Sequence, residues 1–219
     1  MSDTTKSYPL NTYSKREEKL NIITHAIGVI CAVPAFILML IKIWPSNNVS
    51  LVFSVTIYGF SLITLYIAST LFHKATQAQL RHRLNIFDHA AIYFLIAGTY
   101  TPYALITLNG ETGWIVMAVI WTIALIGIIL KFFFTGKYRL LSTIMYVAMG
   151  WVVVFAIKPL YNNLDFAGFI WLMVGGLAYT LGAVLYALKN IPFNHAIFHV
   201  FVLMGSASHF ISIYKYVLV

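Results

Sequence analysis

Side chains that can bind a metal or move a proton recur at helical spacing in two distant parts of the chain. His195 and His199 are four positions apart, and Ser69 and His73 repeat this spacing much earlier in the sequence. Residues four apart stand on one face of a helix, within reach of a common ion. Three neutral imidazoles with one open coordination position form a known catalytic zinc arrangement. The pattern predicts a zinc site with His73, His195 and His199 as ligands.

Asp88 is the acidic residue best suited to act beside such an ion. Of the six acidic residues, it alone falls inside or at the edge of an apolar run, where an ionisable side chain is costly and marks function. Its carboxylate can accept a hydrogen bond from a metal-bound water and act as the base. Ser69 lies one turn before His73 and can donate to Asp88, which would hold the carboxylate in place. Asp88 and Ser69 are the predicted catalytic residues.

The other four histidines have simpler explanations. His25 and His89 lie near the ends of apolar runs and His82 lies between two arginines. A single histidine in such a place more often packs or hydrogen-bonds than binds a metal. His209 follows His199 by ten residues, about 15 Å along a helix, which is too far to share an ion without a break in that helix. We expect structural roles for all four.

The composition excludes a soluble surface around these groups. Of the 219 residues, 61% are hydrophobic and 9% are charged, whereas about a quarter of an average soluble protein is charged. The single cysteine excludes an intramolecular disulfide. A disordered chain is also excluded, because disorder requires low hydrophobicity and high charge.

Seven apolar runs are each long enough for a helix of about 20 residues to cross a bilayer. They are too long for membrane β-strands and do not alternate as such strands do. The sequence therefore predicts an all-α membrane protein, a seven-transmembrane helix bundle over 21–219 that follows a cytoplasmic N-terminal segment 1–20. The predicted spans are approximately 22–42, 50–72, 87–108, 113–133, 141–159, 166–188 and 195–217.

The basic residues give the orientation of the bundle. Eleven of the 14 Lys and Arg residues fall on the side of the N-terminus and three on the opposite side, and such residues stay preferentially in the cytoplasm. The N-terminus is predicted to be cytoplasmic and the C-terminus outside, so that the candidate site lies in one layer near the cytoplasmic face. The net charge of +8 is divided among loops beside the membrane, which indicates contact with anionic lipids and no nucleic-acid partner.

Several segments resemble the signature regions of a known family. Ser69-Thr-Leu-Phe-His73, the following Asp88 and the segment 195–200 resemble the three signature regions of the progestin and adipoQ receptor family. The segments 21–28 and 97–102 are similar to its bacterial branch, the hemolysin III proteins. The resemblance covers the chain from about residue 16 to its end and implies a multi-pass protein of the bacterial inner membrane.

The resemblance also implies seven helices, a cytoplasmic N-terminus and a zinc ion near the cytoplasmic side. Asp88 matches the aspartate that contacts the zinc-bound water, and Ser69 matches its neighbour. The residues that match the zinc ligands are His73, His195 and His199.

Three functions agree with these observations. The first is a zinc-dependent hydrolase that acts on a lipid amide or ester. The resemblance implies this function, because the family belongs to a wider set of membrane hydrolases that includes alkaline ceramidases. The bacterial members of the family have also been linked to membrane lipid homeostasis. The second is a non-enzymatic sensor or regulator of the membrane, in which zinc ties spans 2, 3 and 7 together. The third is a pore-forming cytolysin, although spans this apolar offer no continuous polar lining. Membrane lipids are the expected substrates or ligands.

Overall fold

The computed structural model describes residues 13–219, and every regular element in that range is helical. A π-helical segment, Tyr103–Leu108, continues the third helix, and another, Ile213–Val217, continues the last. A 3-10 segment, Trp151–Ala156, joins the fifth helix to the sixth. The helices are α1 (Lys15–Ile43), α2 (Val49–Lys74), α3 (Ala78–Pro102), α4 (Gly110–Phe134), α5 (Arg139–Gly150), α6 (Ile157–Asn163), α7 (Phe166–Ala187) and α8 (Asn194–Ser212).

Seven helical units are long and apolar enough to cross a membrane, because α5, the 3-10 segment and α6 together form one unit over Arg139–Asn163. The predicted all-α bundle of seven spans is confirmed. The first and third helices begin earlier than predicted, at Lys15 and Ala78. Their first turns are charged, so hydropathy excludes them from a span, although charged residues are good helix formers. The predicted segment boundary at residue 20 consequently falls inside α1.

Side-chain oxygens cap several helices at their first turns. Asn48 Oδ1 accepts hydrogen bonds from the backbone N–H groups of Ser50 and Leu51 at the start of α2. Asp165 Oδ1 accepts from the N–H of Ala167 at the start of α7. These bonds satisfy N–H groups that have no partner within the helix. Asn48 and Asp165 therefore help to set where α2 and α7 begin.

The packing order brings α1, α2 and α8 together. α2 packs between α1 and α3, α7 packs against α8, and α1 also contacts α8. Gly28 permits the close approach of α1 and α2, because a Cβ at this position would collide with the ring of Tyr66. The tyrosine in turn donates to Ser206 Oγ of α8 at 2.7 Å. One end of each of these three helices therefore meets the others, and the candidate site lies there.

Candidate metal centre

The structure brings the three predicted ligands together. His73 lies in the last turn of α2, and His195 and His199 lie in the first turns of α8. Nε2 of His195 is 3.1 Å from Nε2 of His73 and 3.0 Å from Nε2 of His199. All three side chains are buried. Each offers one ligand atom, and these atoms lie within 4.8 Å of one another, so that the three residues could hold a metal ion.

The opposite ring nitrogens, Nδ1, all contact residues in the first three turns of α1 or just before them. His73 Nδ1 donates to Glu18 Oε2 at 2.7 Å, because a carboxylate can only accept. The hydroxyl of Tyr13 lies 3.2 Å from Nδ1 of His195. Histidines that bind metals almost always use the second nitrogen in this way, which fixes the ring orientation.

Thr24 fixes the tautomer of His199. The Thr24 hydroxyl donates its hydrogen to the carbonyl of Leu20 at 2.8 Å, so its oxygen accepts from Nδ1 of His199 at 3.1 Å. With Nδ1 protonated, Nε2 of His199 carries a lone pair. The same reasoning applies to His73 through Glu18. Two lone pairs therefore point toward His195.

This donor set fits a metal better than it fits a proton. A single proton on Nε2 of His195 can complete one good hydrogen bond, whereas two neighbouring nitrogens approach it at 3.0 and 3.1 Å. A tetrahedral ion bound by nitrogens at about 2.0–2.1 Å sets them about 3.3 Å apart, close to the distances observed. A cation would satisfy all three lone pairs together.

An arginine fixes the carboxylate that orients His73. Glu18 Oε1 forms an ion pair with the guanidinium of Arg81. Arg81 also donates to the carbonyls of Phe72 and Ala75, at 3.2 Å each, at the end of α2. The same guanidinium lies 4.6 Å from the centre of the Phe72 ring. Glu18 is thus held in place from α3 while it holds the ligand on α2.

This contribution from α1 was not predicted from the sequence. Glu18, Asn21 and His25 are spaced by three and four residues, so they share one face of a helix. That face is polar on an otherwise apolar helix, which is the signal that could have identified it. Glu18 instead falls in the charged cluster that the sequence analysis assigned to a segment before the first span.

Asp88 and Ser69 lie near the histidines without touching each other. Asp88 is buried and lies on the wall of one cavity together with His195 and His199. Ser69 Oγ is buried and has no hydrogen-bond partner among the described residues. The predicted hydrogen bond from Ser69 to Asp88 is therefore not formed in this structure. A buried hydroxyl without a partner fits a site that receives another polar group.

An apolar cavity of about 180 Å³ connects these residues. Its wall includes Ser69, Asp88, His195 and His199 at one end and Leu160 at the other. Most of the remaining wall is aliphatic or aromatic. The volume exceeds the roughly 150 Å³ of an engineered cavity that binds benzene, so the space can receive an apolar group beside the histidines.

The other histidines occupy different environments. His25 is buried and stacks on His199, with ring centres 3.5 Å apart. His89 Nδ1 donates to the carbonyl of Asn85 at 2.8 Å, and His209 Nε2 donates to that of Leu172 at 3.1 Å. His82 is half-buried in the first turns of α3. His89 and His209 thus bond to backbone carbonyls, whereas His25 packs against the histidine cluster.

Comparison of the sequence with those of known proteins identifies the family of this chain. The family model described as haemolysin-III related matches residues 13–210. The chain belongs to the haemolysin III family. Hemolysin-3 of Bacillus cereus is 47% identical over 203 residues, which cover 93% of both chains. The Hemolysin-3 homolog of Bacillus subtilis (strain 168) is 44% identical over 204 residues, which cover 93% of this chain and 96% of the relative.

The haemolysin III relationship extends to animals. The monocyte to macrophage differentiation factor of Homo sapiens is 35% identical over 166 residues, which cover 73% of this chain and 68% of that protein. The resemblance drawn from the signature regions is thereby confirmed. Together with the seven apolar helices, the bacterial haemolysin III relatives identify a multi-pass protein of the bacterial inner membrane.

Proposed function

We propose that the protein is a zinc-dependent hydrolase that cleaves a lipid amide or ester and takes part in membrane lipid homeostasis, with its metal centre near the cytoplasmic face. The observation that carries the proposal is the convergence of three Nε2 atoms beside an apolar cavity that also contains Asp88 and Ser69. Catalytic zinc sites have three protein ligands and keep one open position. Structural sites have four protein ligands.

The ligand set supports zinc. Three neutral imidazole nitrogens, a donor type that suits zinc, would come from His73, His195 and His199. Glu18 raises the basicity of His73, because it accepts a hydrogen bond from Nδ1 of that ring. When bound, zinc supplies a Lewis acid that polarises a carbonyl and makes water acidic near neutral pH.

Asp88 would move the proton during hydrolysis. An ionised carboxylate is an acceptor, so Asp88 would take a proton from the attacking water as the water oxygen bonds to the acyl carbon. It would then return this proton to the nitrogen or oxygen of the leaving group as the amide or ester bond breaks. Its place on the cavity wall with the histidines supports this role.

Ser69 would position the Asp88 carboxylate, and the cavity would position the substrate. The unpartnered Ser69 hydroxyl is available to donate to the Asp88 carboxylate and hold it. The aliphatic and aromatic wall would bind the acyl chain and exclude water from it. A substrate bound in this way would present the bond between chain and head group to the histidine end.

Turnover of acyl lipids by the purified protein tests the proposal. Ceramides and other acyl lipids are offered to the wild type, to Asp88→Asn and to Asp165→Asn. The last variant is a matched control, because Asp165 caps α7 away from the cavity and asparagine is an equally good cap. We expect Asp88→Asn to lose about 10²–10⁴-fold in turnover, the usual contribution of a general base. The control should keep wild-type activity.

Lipid turnover by the zinc-bound protein distinguishes this proposal from its alternative, a membrane sensor in which zinc is structural. One observation favours the alternative: the cluster and its hydrogen bonds tie α1, α2 and α8 together. A wild type that holds zinc and consumes none of the lipids supports the sensor and contradicts the hydrolase. Equal turnover by wild type and Asp88→Asn removes Asp88 from the mechanism.

A further inference from the structure

Lys131 is a buried cation near the end of α4, on the wall of the same cavity. Its exposed fraction is 5%. Ionisable side chains in membrane-spanning helices are costly, and they usually face a functional cavity or pair with an opposite charge. The groups that Lys131 contacts therefore show which of these two cases applies to it.

Within residues 13–219, Lys131 forms no ion pair with a carboxylate. Its ammonium donates to Ser142 Oγ, whose own hydrogen goes to the carbonyl of Tyr138. It also lies 5.4 Å from the centre of the Tyr146 ring. Both contacts are with neutral groups, so the positive charge is held beside the cavity without a negative partner.

Arg139, the first residue of α5, adds a second cation to the cavity wall. It forms no ion pair among the described residues. Asp88 is the one acidic residue among the described residues of the wall. The wall thus carries two cations and one anion.

Lys131 is connected to the candidate catalytic residues, and Arg139 follows it by eight residues at the start of α5. The hydroxyl of Tyr146, over whose ring Lys131 lies, donates to the carbonyl of His89 at 3.0 Å, and His89 directly follows Asp88. A ligand group held by Lys131 and Arg139 would therefore lie at the end of the cavity where Asp88 and the histidines are.

We propose that Lys131 and Arg139 bind the phosphate head group of an acyl lipid whose chain occupies the apolar cavity. Arginine presents a fork of N–H donors that matches phosphate, and lysine binds it as a point charge. This inference rests on the proposed function, because it names the class of lipid that the proposed hydrolase would bind. Binding can be measured separately from turnover.

The cavity has the length that such a lipid needs. Asp88, Ile92, Leu95 and Thr99 of α3 and Tyr103 of the π-helical segment that continues it all line the cavity, and they follow one another at helical spacing along one face. From Asp88 to Tyr103 the helix rises about 22 Å. An acyl chain with its head group at the charged end would run along this face toward the opposite side of the bundle.

Contact with bulk anionic lipids is the competing explanation of these cations. Lys137 provides the matched comparison, because it lies between Lys131 and Arg139, in the connection from α4 to α5, but is exposed and does not line the cavity. A general attraction to anionic surfaces would involve Lys137 as much as Lys131. A head-group site inside the cavity would involve Lys131 and Arg139 alone.

Binding to the purified protein tests the head-group site. The probe is lysophosphatidic acid, with one acyl chain and a phosphate. It is compared with a monoacylglycerol of the same chain, which lacks the phosphate, and with inorganic phosphate, which lacks the chain. We expect the wild type to bind lysophosphatidic acid at least about tenfold tighter than monoacylglycerol, the usual effect of hydrogen bonds to charged groups. Inorganic phosphate should bind far more weakly than either lipid.

Three variants identify the residues responsible for the preference for lysophosphatidic acid over monoacylglycerol. Lys131→Met and Arg139→Gln should each lose most of it, and Lys137→Gln should retain it. Unfolding temperatures check that Lys131→Met folds, and the exposed Arg139→Gln decides the question if it does not. A preference that survives both substitutions, or one that Lys137→Gln also loses, would overturn the proposal.

The two proposals fail in different ways. A protein that prefers the phosphate lipid but hydrolyses no lipid contradicts the hydrolase and leaves the head-group site in place. Hydrolysis of ceramide combined with equal binding of lysophosphatidic acid and monoacylglycerol contradicts the head-group site alone.

Discussion

The two ends of α8 carry buried histidines that do different things. At the first turns, His195 and His199 direct Nε2 toward each other and toward His73. Ten residues on, His209 uses its Nε2 to donate to the carbonyl of Leu172 at 3.1 Å. All are almost fully buried, so burial does not distinguish them.

The distinction lies in what holds the second nitrogen. Acceptors on α1 accept hydrogen bonds from the Nδ1–H groups of His73 and His199, which leaves lone pairs on the Nε2 atoms of these two residues. His209 has no such acceptor: its Nδ1 has no hydrogen-bond partner among the described residues. The two ends of α8 therefore differ in the acceptors that α1 places behind His73 and His199.

Removal of the metal should give the largest difference between the two ends. A strong chelator should lower the unfolding temperature of the wild type and of His209→Ala, because an ion bound at a thousand times its Kd stabilises a protein by about 4 kcal/mol. The His195→Ala/His199→Ala variant should not respond. Thermal unfolding with and without chelator measures this effect. An equal response from all three proteins would contradict the assignment of the ligands.

Glu18→Gln should give the next largest effect. The amide keeps the shape but loses the negative charge that binds Nδ1 of His73, and loss of such a partner reduces metal affinity by about 10–100-fold. Competition with a chelator of known affinity measures the change. Glu17→Gln, one residue earlier in α1, is the matched control. If both variants keep wild-type affinity, Glu18 has no role in holding the ligand.

These predictions also separate what the sequence could reveal from what it could not. The spacing of His195 and His199, together with the alternation of spans across the membrane, was sufficient to place them near His73 and Asp88. Spacing along one helix cannot report contacts between helices, so the bonds from Glu18 and Thr24 were not predictable in detail. Lys131 was counted only as one of the cytoplasmic charges, because the sequence shows no cavity.

His209→Ala should have a moderate effect that is confined to stability. The substitution removes the hydrogen bond to Leu172 and leaves unfilled space between α7 and α8, and loss of a buried hydrogen bond costs about 1–3 kcal/mol. Zinc content should stay at the wild-type value. A loss of zinc from this variant would show that the two ends of α8 are not independent, and it would contradict a purely structural role for His209.

Thr24→Val should have the smallest effect on the metal. It removes a neutral acceptor from Nδ1 of His199, and hydrogen bonds between neutral groups are about half as strong as those to charged groups. We expect a loss of metal affinity smaller than that of Glu18→Gln, measured by the same chelator competition. Thr24→Ser keeps the hydroxyl and should bind as the wild type does. A larger loss for Thr24→Val than for Glu18→Gln would reverse the ranking of the two acceptors.

The zinc content of the purified protein tests the central claim most directly. Elemental analysis is performed on the wild type and on the His195→Ala/His199→Ala variant, purified side by side without added metal. We predict one zinc ion per chain in the wild type and none in the variant. A wild type without stoichiometric metal, or a variant that retains it, would contradict the claim that these histidines form a zinc site.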